Sequence, residues 1–208
     1  MIKDLKKYYK GLFEKYGDSS QSVQHISTES QYSRFKILSN IDINAESIID
    51  VGCGLGDMYA YLKNTEYSGR YLGLDFIPEF IELAKKKYTD NKKVDFLVSD
   101  ITIDEIPTNY DYILLSGVFN NKFNESEKFM LNTISRLFDK CRKGLAFNAM
   151  STYVDYEDDN LHYSNPIEVF DFCKRKLTRR IVLKHDYVLK KDSIPYEYTM
   201  YLYKENSK

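Results

Sequence analysis

Short apolar runs alternate along the chain with segments in which apolar residues recur every three or four positions. The runs predict seven strands, at 47–51, 70–75, 94–99, 111–116, 143–149, 180–187 and 197–203. The periodic segments between them predict four helices, at 57–64, 78–88, 125–140 and 166–176. Alternation of this kind predicts a doubly wound α/β fold, with a mostly parallel sheet covered by helices on both faces.

The two ends of the chain depart from this alternation. No helix fits between Tyr187 and Glu197, so we expect the last two strands to form a hairpin, with an antiparallel strand in a seven-stranded sheet. Before the first strand, residues 2–16 and 28–40 show helical patterns. We expect residues 1–46 to form a helical N-terminal cap over the carboxyl edge of the sheet. The cap and residues 47–208 would form one structural unit.

Composition narrows the class of protein. The 208 residues include 30 Lys and Arg against 31 Asp and Glu, and this near-zero net charge disfavours nucleic-acid and anionic membrane partners. No apolar run approaches the ~18 residues of a membrane span. The charged start, MIKDLKKYYK, does not match a secretory signal, and the three cysteines form no CxxC pair. We therefore expect a cytoplasmic protein without disulfides, as a monomer or homodimer.

A glycine-rich turn follows the first predicted strand. Gly52, Gly54 and Gly56 would let a ligand approach backbone N–H groups closely, because glycine has no Cβ. A dinucleotide fingerprint reads GxGxxG, whereas this turn reads GxGxG and is followed by Asp57, which would repel a pyrophosphate. Asp50, just before the glycines, favours a positively charged ligand. NAD and FAD are thus disfavoured but not excluded.

Acidic residues end the next two predicted strands as well. Asp75 at the tip of the second strand can accept hydrogen bonds from both hydroxyls of a ribose. Asp100 after the third strand can accept a hydrogen bond from an adenine amine, while Ile101 covers the ring. With Asp50, three acids lie at successive strand tips. Because open α/β sheets bind ligands at that edge, the pattern favours a nucleoside-containing ligand.

Four motifs in this order and spacing resemble the class I S-adenosylmethionine-dependent methyltransferases. The motifs are DVGCGLG at 50–56, LGLD at 72–75, SDI at 99–101 and YDYILLS at 110–116. The predicted C-terminal hairpin also matches the Rossmann-like, seven-stranded sheet of that family. The resemblance covers residues 47–203 and implies S-adenosylmethionine as cofactor and S-adenosylhomocysteine as its product.

The resemblance also implies which residues hold the cofactor. Asp50 and the glycines would surround its methionine portion, Asp75 the ribose, and Asp100 and Ile101 the adenine. By analogy with related small-molecule enzymes, Tyr16 and Gln31 of the cap could touch its carboxylate or amine. The expected cofactor-binding residues are Tyr16, Gln31, Asp50, Gly52, Cys53, Gly54, Gly56, Asp75, Phe76, Ile77, Asp100, Ile101, Ser116, Gly117 and Val118.

The fourth predicted strand continues as Ser116-Gly-Val-Phe-Asn-Asn-Lys122. It lacks the Asn/Asp-Pro-Pro-aromatic motif of methyltransferases that act on exocyclic amines of nucleic acids or on glutamine. We therefore expect a small-molecule acceptor. Arg34 could bind an anionic group of this acceptor, or it could instead form a salt bridge on the surface. The expected substrate-binding residues are Arg34, Phe119, Asn120, Asn148, Tyr153 and Tyr163.

Two histidines are the candidate catalytic residues, because imidazole titrates near neutrality. His162 follows the fifth predicted strand and is the first candidate for a base, although it could also be an exposed loop residue. His185 is the second and could instead pack within the sheet. His25 is expected to be structural or mobile. The acids at 155 and 157–159 are consecutive in one loop and favour a solvated loop over a metal site, so no metal is expected.

The sequence therefore predicts a methyltransferase for a small polar metabolite, most favourably acting on oxygen of a sugar, nucleotide-sugar or phosphorylated intermediate. Segments 117–120, 147–150 and 185–187 resemble bacterial methyltransferases linked to the biosynthesis of surface polysaccharide, such as capsule or lipopolysaccharide. One alternative is a carboxyl methyltransferase of a small polycarboxylate, for which Arg34 and Lys122 would matter. Another is a non-catalytic protein that binds S-adenosylmethionine.

Overall fold

The computed structural model describes residues 2–25, 27–89 and 91–205 and contains one mixed β-sheet. The strands are β1 (Ser47–Val51), β2 (Arg70–Asp75), β3 (Val94–Val98), β4 (Tyr112–Leu115), β5 (Gly144–Ser151), β6 (Tyr163–Ser164), β7 (Ile181–Lys184) and β8 (Glu197–Tyr203). The α-helices are α1 (Ile2–Tyr16), α2 (Thr28–Ser39), α3 (Asp57–Lys63), α4 (Pro78–Lys87), α5 (Ser126–Lys140) and α6 (Pro166–Lys176). A 3-10 helix spans Ser20–Val23.

The strand order confirms the predicted Rossmann-like fold. It runs β3-β2-β1-β4-β5-β8-β7, with β1 to β5 parallel and β8 antiparallel to both β5 and β7. Strand β6 adds an eighth member, because Tyr163 and Ser164 pair with the last two residues of β5. The predicted count of seven was therefore one too low, since two residues carry no periodic pattern.

Apolar side chains fill both faces of the sheet. In β4, Ile113 and Leu115 face a core that includes residues of α5 and α6. Tyr112 and Leu114 alternate with them and face a second core, built with residues of α2, α3 and α4. The inner parallel strands β1, β4 and β5 are buried at every position, whereas the edge strand β3 is mostly exposed.

The two N-terminal helices contact different parts of the molecule. In α2, Phe35 and Leu38 are buried in the second core. In α1, the rings of Tyr9 and Phe13 lie edge-on to Phe80 of α4, with centroids 6.2 and 5.5 Å away. Among the helices described, none is long and apolar enough to cross a membrane.

Candidate active site

A cavity of about 760 Å³ opens at the carboxyl edge of the parallel strands. Residues at or just beyond the tips of β1, β2, β3, β4 and β5 line it. Residues of α1 and α2 form another wall, and the segments 154–163 and 190–197 contribute much of the remainder. The fold thus brings the predicted acidic strand tips and the N-terminal helices to one site.

The glycine-rich turn forms part of the cavity wall. Gly52 and Gly54 both line the cavity and have positive φ, at 72° and 53°. A Cβ at Gly52 would lie 2.8 Å from Val118 Cγ2, and one at Gly54 would lie 2.7 Å from Val23 Cγ1. Only glycine fits these two positions. Gly56 also has positive φ, but it precedes α3 against aromatic rings and does not line the cavity.

Asp75 is fixed at the tip of β2 by the backbone. One carboxylate oxygen accepts the N–H of Gly54 at 2.9 Å, and the other accepts the N–H of Ile77 at 2.9 Å. Burial raises the pKa of Asp75 to about 6, although these backbone hydrogen bonds oppose the rise. Each oxygen keeps a lone pair for a ligand hydroxyl.

Asp50 lies deeper, in β1. Its carboxyl accepts a hydrogen bond of 2.5 Å from the hydroxyl of Tyr71. Burial, together with the nearby charges of Asp75 and Asp57, raises the pKa of Asp50 to about 7, although the hydrogen bond from Tyr71 opposes the rise. No cation of the described chain offsets this rise in pKa at Asp50 or Asp75. The site therefore favours a ligand that carries positive charge.

The loop after β3 presents Asp100, Ile101 and Thr102 to the cavity. One carboxylate oxygen of Asp100 accepts hydrogen bonds from the Thr102 N–H at 3.0 Å and its hydroxyl at 2.6 Å. The other oxygen has no partner among the described residues. This arrangement leaves an acceptor beside an apolar side chain, as an adenine would require.

Three buried polar atoms in the cavity wall lack a hydrogen-bond partner among the described residues. They are Oε1 of Gln31, Oγ of Ser116 and Oδ1 of Asn120. The amide nitrogen of Gln31 donates to Asp57 at 3.2 Å, whereas its oxygen accepts no hydrogen bond from a described residue. Because buried polar atoms are normally paired, these three indicate contacts with a polar ligand.

A buried ion pair links α2 to β8 in the same wall. Nε of Arg34 is 3.0 Å from both carboxylate oxygens of Glu197, and Nη1 donates to Ser30 Oγ at 2.7 Å. Glu197 also accepts the Asn148 amide at 2.7 Å, and the Asn148 oxygen accepts the Gly117 N–H at 2.8 Å. The charge of Arg34 is therefore neutralised within the protein, in a buried pair rather than on the surface.

Neither predicted base faces the cavity. The ring nitrogens of His162 lie 3.2 Å from the Phe119 carbonyl and 3.3 Å from the Glu127 carboxylate. Nε2 of His185 lies 3.2 Å from the carbonyl of Pro195. These contacts with other elements turn both imidazoles away, and neither residue lines the cavity.

His25 lines the cavity instead, contrary to the expectation of a structural or mobile role only. It follows Gln24, the left-handed residue that ends the 3-10 helix. Burial and the charge of Arg34 lower the pKa of His25 to about 3, so its imidazole is neutral at physiological pH.

The predicted site residues divide into two groups. Those that line the cavity are Gln31, Arg34, Asp50, Gly52, Cys53, Gly54, Asp75, Phe76, Ile77, Asp100, Ile101, Ser116, Gly117, Val118, Asn120 and Tyr163. Those that do not are Tyr16, Gly56, Phe119, Asn148, Tyr153, His162 and His185.

Packing explains three of these absences. The ring of Phe119 is buried in the core, 5.7 Å from that of Phe147. Tyr16 is exposed at the end of α1, beside Lys15. Tyr153 is exposed and faces the ring of His185. These three side chains therefore lie outside the cavity wall.

Tyr9 and Glu197 are among the polar groups of the cavity wall that sequence reasoning missed. The hydroxyl of Tyr9 donates to Gln24 at 2.6 Å and accepts the amide of Asn121 at 2.8 Å. Tyr9 could have been found, because it shares one face of α1 with Leu5 and Phe13 at four-residue spacing. Glu197 could not, since its partner Arg34 is 163 positions away.

The acidic loop, which carries the acids at 155 and 157–159, lies only partly in the cavity wall. Asp155 and Asp158 line the cavity, whereas Glu157 and Asp159 do not. Across the described part of the chain, no three His, Cys, Asp or Glu side chains are grouped so that they could hold a metal ion. Lys122 also lies outside the cavity wall.

An open α/β sheet with acids at three strand tips suits a nucleoside-containing ligand, and comparison with known proteins specifies the class of protein. A family model described as a methyltransferase domain matches residues 49–150. "Putative methyltransferase Rv1506c" of Mycobacterium tuberculosis is 31% identical over 160 residues, which cover 74% of this chain and 90% of that protein.

Two further likenesses are more distant. Phosphoethanolamine N-methyltransferase of Plasmodium falciparum is 30% identical over 123 residues, which cover 58% of this chain and 43% of that protein. Magnesium protoporphyrin IX methyltransferase of Synechocystis PCC 6803, crystallised with bound S-adenosylmethionine, matches the fold with a TM-score of 0.62 at 12% identity. That match covers 86% of this chain and 80% of the other.

The chain belongs to the S-adenosylmethionine-dependent methyltransferases, and the predicted class I resemblance is confirmed. Solved structures that share this fold contain S-adenosylmethionine or S-adenosylhomocysteine. The cavity fits S-adenosylmethionine, because the glycine turn admits a ligand against the backbone. The unpartnered oxygens of Gln31 and Ser116 and the buried Asp50 carboxyl suit its polar and cationic groups.

Proposed function

We propose that this enzyme transfers the methyl group of S-adenosylmethionine to a small polar metabolite. The observation that carries the proposal is the extent of the cavity, which continues from the strand tips to segments 154–163 and 190–197. Its volume of about 760 Å³ lies within the range of sites that bind small molecules. Space beyond the cofactor residues also supports catalysis over cofactor binding alone.

Each part of the cofactor has a proposed partner. The Asp75 carboxylate, fixed by two N–H groups, accepts the ribose hydroxyls. Asp100 accepts the adenine amine, and Ile101 covers the ring. Asp50 and the free oxygen of Gln31 attract the ammonium of the methionine portion.

The cofactor supplies, when bound, a methyl group on a positively charged sulfur. The protein's task is to align an acceptor with that methyl, and ordering of reactants can contribute about 7–11 kcal/mol. The side-chain oxygen of Asn148 accepts a hydrogen bond from the Gly117 N–H, and this bond fixes the loop after β4. Ser116 and Asn120 of this loop offer unpartnered oxygens that position the reactants.

The charges of the wall discriminate among the predicted acceptors. Tyr163 and Asn120 suit a hydroxylated, uncharged scaffold such as a sugar. Because Arg34 is already paired with Glu197, a nucleotide-sugar, a phosphorylated intermediate or a polycarboxylate lacks its expected partner. Lys122, the other cation considered for a carboxylate, does not line the cavity.

The family leaves the acceptor open, since the two relatives above are named for phosphoethanolamine and magnesium protoporphyrin. A role in surface polysaccharide biosynthesis and a cytoplasmic location stay predictions from the sequence.

The test is methyl transfer from labelled S-adenosylmethionine to a panel of sugars, amino sugars, amines, sugar phosphates and small carboxylates. We expect formation of S-adenosylhomocysteine that depends on an acceptor and is lost in Asp75→Ala, with folding of the variant checked by circular dichroism. Tight cofactor binding with no transfer to any acceptor would instead favour the non-catalytic alternative.

A further inference from the structure

Carboxylates far outnumber cations in the cavity wall. The acidic residues that line it within the described chain are Asp50, Asp75, Asp100, Asp155, Asp158, Asp192 and Glu197, and the basic ones are Arg34 and Lys190. This excess contrasts with the chain's overall net charge of -1. A cavity lined by one sign of charge concentrates ligands of the opposite sign, here cations.

The charges of the wall separate into two regions. Asp50, Asp75 and Asp100 lie at the strand tips, where the proposed function places the cofactor. The remaining acids lie on the segments opposite, which the proposed function gives to the acceptor. Asp155, Asp158 and Asp192 are exposed there, where they meet an incoming ligand first.

The two cations do not balance the acids of the acceptor region. Arg34 is committed to Glu197 and Ser30, and only 10% of its side chain is exposed. An anion that recruited Arg34 would leave the buried Glu197 carboxylate unpaired. Lys190 is exposed in the segment that also carries Asp192. A phosphate or carboxylate on the acceptor would therefore meet net repulsion.

The wall also lacks an imidazole suited to remove a proton from a hydroxyl. His162 and His185 face other elements. His25 faces the cavity, but burial and the Arg34 charge lower the pKa of its imidazole to about 3, which makes it a weak base. Burial raises the pKa of Tyr196, so its hydroxyl stays protonated. An acceptor that needs no such base fits this wall better.

Resting on the proposed function, we infer that the acceptor atom is an amine nitrogen on a small scaffold without phosphate or carboxylate groups. The amine reaches the acidic mouth as an ammonium ion, to which carboxylates form charge-assisted hydrogen bonds. It releases one proton to solvent before the transfer. The nitrogen lone pair then forms the N–CH₃ bond while the S–CH₃ bond breaks. The electron pair of the broken S–CH₃ bond stays on sulfur, which becomes a neutral thioether, and the positive charge passes to nitrogen.

Matched acceptors test this inference. The panel contains small amines, each with its hydroxyl and phosphorylated counterparts, such as glucosamine with glucose and glucosamine 6-phosphate, or ethanolamine with ethylene glycol and phosphoethanolamine. We expect N-methylated products from amines, at kcat/KM values at least about 10-fold above those of their counterparts, which corresponds to about 1.4 kcal/mol. Mass spectrometry of the products identifies the methylated atom.

The outcomes separate the two proposals. Preferred methylation of the hydroxyl or phosphorylated counterparts would overturn the amine inference and uphold the proposed function. If S-adenosylmethionine binds but no panel member is methylated, both proposals fail.

The acidic loop supplies a matched pair of variants. The double variant Asp155→Asn/Asp158→Asn neutralises two carboxylates that line the cavity, and Glu157→Gln/Asp159→Asn neutralises two of the same loop that do not. We expect the first double variant to raise the KM for the amine acceptor about 2- to 10-fold with kcat unchanged. This rise in KM should be smaller at high salt. The second should leave KM unchanged. Equal effects of the two variants, or a lower KM in the first, would contradict the inference.

Discussion

Asp50 affects both the charge of the cavity and the stability of the protein. Its side chain is buried, and its pKa is raised to about 7. An unfolded aspartate titrates near ~3.9. The folded state therefore holds the proton more tightly, and the ligand-free protein should lose stability as pH rises from about 4 to about 7.

Replacement of this acid should stabilise the protein and weaken the binding of its cofactor. We expect Asp50→Asn to raise the free energy of unfolding of the ligand-free protein at pH 8 by about 2–4 kcal/mol, because the substitution removes the buried charge at position 50. Affinity for S-adenosylmethionine should fall, because the cofactor ammonium loses a carboxylate. Thermal melting and calorimetric titration measure the two effects.

Thermal melting of both proteins at a lower pH is the control for this variant. At pH 5 Asp50 of the unchanged protein is already protonated, so the two proteins should then melt at similar temperatures. A stability difference that is the same at pH 5 and pH 8 would show that the charge of Asp50 is not its cause.

Gly54 allows a second test at the level of a single residue. Gly54→Ala places a Cβ 2.7 Å from Val23 at a φ of 53°, and the left-handed conformation alone costs about 1–2 kcal/mol. We expect cofactor affinity to fall at least about 10-fold, measured by calorimetry. Gly11→Ala is the control, since a Cβ at Gly11 of α1 meets nothing within 4 Å. Equal losses of affinity in the two variants would count against a role for the turn.

At the level of elements, the Arg34–Glu197 pair fastens α2 to β8. We expect Glu197→Gln to destabilise the protein by about 3–5 kcal/mol, because Arg34 would stay buried without a counter-charge. Urea denaturation measures the loss. The double variant Arg34→Gln/Glu197→Gln should recover much of it. If the double variant is as unstable as the single one, then the ion pair is not the origin of the effect.

The same elements explain how far the sequence could predict this protein. The strands and the acids at their tips follow from local patterns, such as the apolar residues of β1 before Gly52. The orientation of His162 depends on the Phe119 carbonyl and on Glu127 of α5, which no local pattern contains. Glu197 likewise acquires its role from a contact distant in sequence. Contacts between side chains distant in sequence were thus the part that the sequence could not provide.

At the scale of the whole molecule, the balanced net charge of -1 conceals a strongly acidic cavity. The raised pKa values of Asp50 and Asp75, about 7 and about 6, mean that both carboxyls are partly protonated in the ligand-free protein near pH 6.5. A cationic ligand favours the ionised forms and so lowers these pKa values.

Cofactor binding should therefore release protons. We expect the affinity for S-adenosylmethionine to rise from pH 6 to about pH 8 and then level off, because acids with pKa values of about 6 and about 7 are almost fully ionised there. Calorimetry at pH 6.5 in buffers of different ionisation enthalpy measures the proton count directly. Net proton uptake, or none, would contradict the charge argument.

The most direct test of the central claim is a crystal structure with S-adenosylhomocysteine bound. The account predicts adenine beside Asp100 and Ile101, the ribose hydroxyls on Asp75, and the sulfur next to Gly117. The free space beyond the sulfur should be bounded by segments 154–163 and 190–197. A nucleoside bound outside this cavity, or in the reverse direction within it, would contradict the account.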